Sequence, residues 1–181
     1  LWGDALLQTE SGLSIKGASL ATTCVFIGFA VGGVGFGYLA DRLGRRKILY
    51  LGCAIASTII ASLIMFASIQ PTWFTVILLG MLGFTTGGQA LSFVMTADNA
   101  ARHNRGMKLA FVNFVVMLLP VVAQPSVGFL ADIGVARTGL PSAVQELRGY
   151  GLVVALMIVG TVITFFVRET TPREDKAPIA H

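Results

Sequence analysis

Long apolar runs separated by short charged connections set the pattern of this chain. Five such runs can be read, over about 18–40, 48–69, 73–97, 107–131 and 150–167. Each is close to the ~20 apolar residues that cross the hydrocarbon core as a helix rising ~1.5 Å per residue. In lipid every backbone N–H and C=O must find its partner inside the structure, which leaves helices or a closed barrel. A barrel strand would show about ten residues of alternating polarity, and these runs are continuous. The fold class expected is an all-α membrane protein, a helical bundle of five full transmembrane helices plus a partial one.

The partial helix comes first. The opening "LWGDALLQTESGLSIKG", residues 1–17, is too short and polar to span. It also lacks the basic start and small-residue cleavage site of a signal peptide. It reads as the end of a truncated helix followed by an outer loop. Residues 18–168 then form the transmembrane bundle, and 169–181 a cytoplasmic tail. Small residues four apart, Gly28 with Gly32 and Gly83 with Gly87, would let helix backbones approach closely in lipid.

Charge gives the runs a direction. Only 12% of the 181 residues are charged, about half of what a soluble domain carries, and mean hydropathy is +0.79. Arg42, Arg45, Arg46 and Lys47 follow the first run, Arg102, Arg105 and Lys108 the third, and Arg168, Arg173 and Lys176 the fifth. Lys16, Arg137 and Arg148 lie on the opposite side. The excess of Lys and Arg marks the cytoplasmic side, so 70–72 and 132–149 face outward and the C-terminus is inside. A net charge of +4 in such clusters, without interleaved aromatics, argues against nucleic acid as a partner. Cys24 and Cys53 fall inside apolar runs, with neither metal-ligand spacing nor a disulfide framework. With His103 and His181 the only histidines, no nucleophile–base pair or metal cluster suggests an enzyme, and no cofactor or metal is expected.

One stretch stands out: "GYLADRLGRRK", residues 37–47. A topology anchor accounts for its arginines but not for the spacing Gly-x-x-x-Asp-Arg-x-Gly-Arg-Arg. Gly37 would allow close approach near a helix end. Gly44 can take the left-handed conformation that closes a helix. Asp41 can pair with a neighbouring arginine. The spacing resembles the cytoplasmic loop signature of the major facilitator superfamily, a family of secondary transporters, with Gly37, Asp41, Arg42, Gly44, Arg45 and Arg46 all in place. The resemblance implies a gate, in which Asp41 and the arginines hold one conformation closed at the cytoplasmic side. The fourth run, with Gln124-Pro125, and the exit "FFVRETTPRED" resemble the eleventh helix and the end of the last helix of that family. The chain thus resembles the C-terminal half of a twelve-helix transporter, from the end of the seventh helix through the twelfth. The implied partners are the lipid bilayer, a small-molecule substrate and the N-terminal half of the same transporter. The run "ADNAARHNRG" repeats the loop's logic more weakly, and Asp98, Arg102 and Arg105 read as a second cytoplasmic gate or anchor.

Such transporters bind solute near the bilayer midplane, so the candidates for the cavity are polar residues within the runs: Thr22, Thr23, Gln89, Ser92, Asn113 and Gln124. An amide offers both donors and an acceptor, whereas a threonine hydroxyl can bond back to its own helix. Intramembrane ionisable groups are the usual carriers of proton coupling, and none sits in the middle of a run. A coupling carboxylate would therefore belong to the other half, or the protein would be a facilitator. The function expected is transport of a small polar solute by alternating access. The alternative is a non-transporting sensor or assembly component of the same fold. Glycine content and arginine placement fit a bacterial inner membrane.

Overall fold

The computed structural model describes residues 15–66, 72–138, 142–167 and 169. The expectations for the truncated helix at 1–14 and for the tail at 170–181 lie outside the described residues. Six α-helices make up nearly all the rest: α1 Ile15–Leu43, α2 Arg46–Phe66, α3 Thr72–Thr86, α4 Ala90–Asp98, α5 Arg105–Thr138 and α6 Ser142–Phe166. A single 3-10 turn, Gly87–Gln89, joins α3 to α4, and another, Arg102–Asn104, leads into α5. Ser19–Leu43, Arg46–Phe66, Trp73–Asp98 and Arg102–Ser126 are long and apolar enough to cross a membrane, and Gly151–Phe166 is a shorter apolar helix. With no strand among the described residues, this is an all-α membrane bundle.

Helix and apolar run do not end together. The segment 132–149, expected as an outward connection, is helical over 132–138 and again over 142–149. The stretch "SAVQELRG" that opens α6 is rich in good helix formers. Polarity there marks the edge of the membrane rather than the end of the helix.

The tightest seam joins α1 to α3, and glycines make it. A Cβ on Gly28 would lie 2.8 Å from the Phe84 nitrogen, and one on Gly83 2.8 Å from the Val25 Cα. On Gly87 it would lie 2.6 Å from both the Gly33 nitrogen and the Phe29 oxygen. Backbone meets backbone here, which only small residues permit. Phe36 and Phe84 continue the seam with ring centroids 4.8 Å apart. Just beyond, the hydroxyls of Thr85 and Thr86 donate to carbonyls of Met81, Leu82 and Gly83, and the 3-10 turn follows. Such back-bonding competes with the helix ladder and bends it.

Elsewhere α2 packs on α3 and α6, and α6 on α5. Thr58 and Thr161 share a hydrogen bond of 3.1 Å between α2 and α6. Large apolar side chains face outward all around, among them Phe26, Val34 and Phe166. Hydrocarbon, not water, is the solvent that such a surface suits.

Candidate functional site

Gly44 ends α1. Its φ of 62° and its N–H bond to the Ala40 oxygen at 3.0 Å close the last turn, a left-handed helix cap that costs glycine little. Arg45 then bridges directly to α2, which begins at Arg46. So short a turn sets Asp41, in the last turn of α1, against Arg46 in the first turn of α2. Arg46 Nη2 donates to Asp41 Oδ1 at 2.9 Å. The other terminal nitrogen, Nη1, forms an ion pair with Oδ2 of Asp98 at the end of α4. The Arg46 side chain is 8% exposed and that of Asp98 13%, against 69% for Asp41.

Helix dipoles act against both of these charges. A cation at a helix N-terminus and an anion at a C-terminus are each disfavoured by their own helix. Arg46 and Asp98 occupy those positions, and each offsets the other. One buried guanidinium therefore ties together the ends of α1, α2 and α4. The chain order had grouped Asp98 with Arg102 and Arg105. In the fold its carboxylate joins Arg46, while Arg102 and Arg105 lie exposed.

The remaining signature residues take separate places. The Arg42 guanidinium lies 5.4 Å from the centroid of the Tyr38 ring. Arg45 is exposed. Gly37, read as a close-approach position, has open space where a Cβ would project. Nothing described lies within 4 Å of that position, so its lack of a side chain serves no close approach there.

A further tie was not read from the sequence. The Lys47 N–H donates to Glu169 Oε1 at 2.8 Å, and Lys47 Nζ donates to the Phe165 oxygen at 2.8 Å. The carboxylate caps the start of α2 and the ammonium caps the end of α6, a reciprocal arrangement that suits both dipoles. Its only trace in the sequence is an acid placed just beyond the last apolar run.

Above the charge cluster a cleft of about 750 Å³ opens between α4, α5 and α6, with Tyr50 of α2 on its wall. Gln89 and Ser92 line it among apolar residues such as Val112, Leu119 and Ile163. Ser92 Oγ donates to the Gln89 carbonyl at 2.7 Å, so that hydroxyl is used within its own helix. The Gln89 carboxamide makes no hydrogen bond to a described residue. The other candidates do not converge there. Asn113 is exposed on α5, off the cleft wall. Gln124 borders a separate hollow of about 370 Å³ with Pro120, Val121 and Pro125. Thr22 and Thr23 lie in the first turns of α1, where Thr23 Oγ1 donates to the Ser19 oxygen at 2.8 Å. Among the described residues no group of three His, Cys, Asp or Glu gathers as a metal site would require.

The family model described as Major Facilitator Superfamily matches residues 4–181. Solute carrier family 22 member 7 of Rattus norvegicus is 44% identical over 57 residues, 32% of this chain and 10% of that protein. Its counterpart in Sus scrofa is 44% identical over 62 residues, 34% of this chain and 11% of that protein. The protein svop-1 of Caenorhabditis elegans is 35% identical over 94 residues, 51% of this chain and 17% of that protein. The matched stretch is thus a small part of each of these animal relatives. No solved structure matches.

Proposed function

Because the chain belongs to the major facilitator superfamily, we propose that it forms the second half of a transporter that moves a small polar solute by alternating access. Arg46, held at once by Asp41 and Asp98, is the observation that carries this reading. Alternating access needs a contact that closes one side and yields without great cost when that side opens. A charge cluster at three helix ends meets the need, since a bias of ~1–3 kcal/mol is enough to couple two states. The excess of Lys and Arg around this cluster supports a cytoplasmic position for it. Solute carriers among the relatives support transport as the activity. Within the membrane, Gln89 is the group we assign to solute contact, because its carboxamide lines the cleft with donors and acceptor unengaged among the described residues. A first half of the same protein would supply the opposite wall.

The test is uptake by the full-length protein in liposomes, with a panel of labelled small polar solutes. Saturable uptake of at least one is expected, with a reduction of roughly tenfold in Arg46→Gln, the rate factor of ~1.4 kcal/mol. Absence of uptake across the panel, with no solute shifting the unfolding temperature, would favour the non-transporting sensor instead.

A further inference from the structure

The acids at this end of the bundle are each committed to a basic partner. Asp41 and Asp98 both meet the buried Arg46, and Glu169 accepts the Lys47 N–H. Around them Arg42, Arg45, Arg102 and Arg105 are exposed. None of the four is hydrogen-bonded or ion-paired to a described residue, and Arg42 rests against the Tyr38 ring. The two loops meet at Arg46, so the four arginines belong to the same end of the bundle.

Their depth is set by the spans. Apolar stretches end at Leu43 and Asp98 and begin at Arg46 and Arg102, so these arginines stand where hydrocarbon gives way to headgroups. Tyr38, 64% exposed, lies one turn before Arg42 with Leu39 and Leu43 also outward. An exposed tyrosine at that level is the usual interfacial anchor. Orienting the chain requires cations on this side but does not require that the neighbouring acids pair with Arg46 and Lys47 instead of with them. Asp41 stays 69% exposed beside them, but that pairing leaves the four guanidinium groups without an acid among the described residues.

We propose that Arg42, Arg45, Arg102 and Arg105 form a docking surface for the headgroups of anionic phospholipids in the adjoining leaflet. A guanidinium presents paired N–H donors that match two phosphate oxygens. Each basic residue near such a surface is worth about a fivefold gain in binding, and the attraction weakens with salt.

The experiment is a lipid titration of the purified full-length protein, read by native mass spectrometry. Phosphatidylglycerol is compared with phosphatidylcholine of the same chains. Preference for phosphatidylglycerol is expected, falling roughly 25-fold when Arg45→Gln and Arg105→Gln are combined. The pair Arg45→Lys and Arg105→Lys should keep most of it. Unfolding temperatures of both pairs report whether the fold is intact, and a loss in the glutamine pair without change in that temperature supports the surface. Equal binding of the two lipids would overturn the proposal. So would complete displacement of phosphatidylglycerol by millimolar inorganic phosphate, which would mark a site for a free anion.

Discussion

Asp98 and Arg46 form an ion pair between the end of one helix and the start of another, at positions that neither helix dipole favours. Both side chains are largely withdrawn from water. Removing one partner of such a pair strands the other, at a cost of ~3 kcal/mol. Arg46→Gln should therefore lower the unfolding temperature of the full-length protein by several degrees. Adding Asp98→Asn should restore most of the loss, since no uncompensated buried charge then remains. Asp41→Asn should cost little stability, because its carboxylate is mostly in water. Thermal unfolding of the three single variants and the double variant, in detergent, gives the coupling directly.

The sequence carried the local half of this arrangement and not the distant half. Asp41, Gly44 and Arg46 are neighbours in the chain, so the spacing of charge and glycine announces their turn. Asp98 reaches Arg46 only because α1 seats on α3 through bare backbone at Gly28, Gly32, Gly83 and Gly87. Small-residue spacing suggested close helices without saying which pair would meet. Asn113 was unreadable for another reason: α5 is apolar on nearly every side, so no periodicity fixes which face meets a neighbour. The helical start of α6 was hidden because hydropathy reports the membrane boundary, whereas the helix follows backbone propensity beyond it.

Contact geometry separates glycines that look alike in sequence. A methyl group on Gly87 would press on the Gly33 nitrogen and the Phe29 oxygen, neither of which can move without shifting a helix. Gly35, on the same helix as Gly33, has nothing within 4 Å of the same position. Gly87→Ala is expected to cost ~2–3 kcal/mol by overpacking, seen as a lower unfolding temperature and poorer membrane yield. Gly35→Ala should leave both unchanged. Equal behaviour of the two variants would mean that the α1–α3 seam is looser than its backbone contacts indicate.

Gln89 and Asn113 provide the comparable contrast for solute contact. Gln89 lines the cleft and its carboxamide holds no other described group in place, whereas Asn113 stands off the cleft wall. For a transported solute, Gln89→Ala should weaken affinity by about 5- to 10-fold, the worth of one net hydrogen bond, with the unfolding temperature unchanged. Asn113→Ala should alter affinity less. A competition uptake assay on both variants decides between them. If Asn113→Ala proves the more damaging, the solute binds on the exposed face of α5, where the proposed first half would lie, and not in the cleft.

Glu169 caps α2 across 122 residues of chain, and Lys47 returns the favour to α6. Removing the carboxylate leaves an N-terminal N–H without its acceptor, a loss of ~1 kcal/mol for a helix cap. Water can replace part of that at an exposed site, so Glu169→Ala should lower stability by less than this figure. Glu169→Gln keeps an oxygen for the N–H and removes only the charge. The difference between wild type and Glu169→Gln then isolates the dipole contribution, which is ~0.3–1 kcal/mol at low ionic strength and is screened by salt. Unfolding temperatures measured at low and high salt should therefore converge for wild type and Glu169→Gln, while Glu169→Ala stays lower at both. Should all three proteins unfold together at every salt concentration, the last residues after α6 do not hold the start of α2.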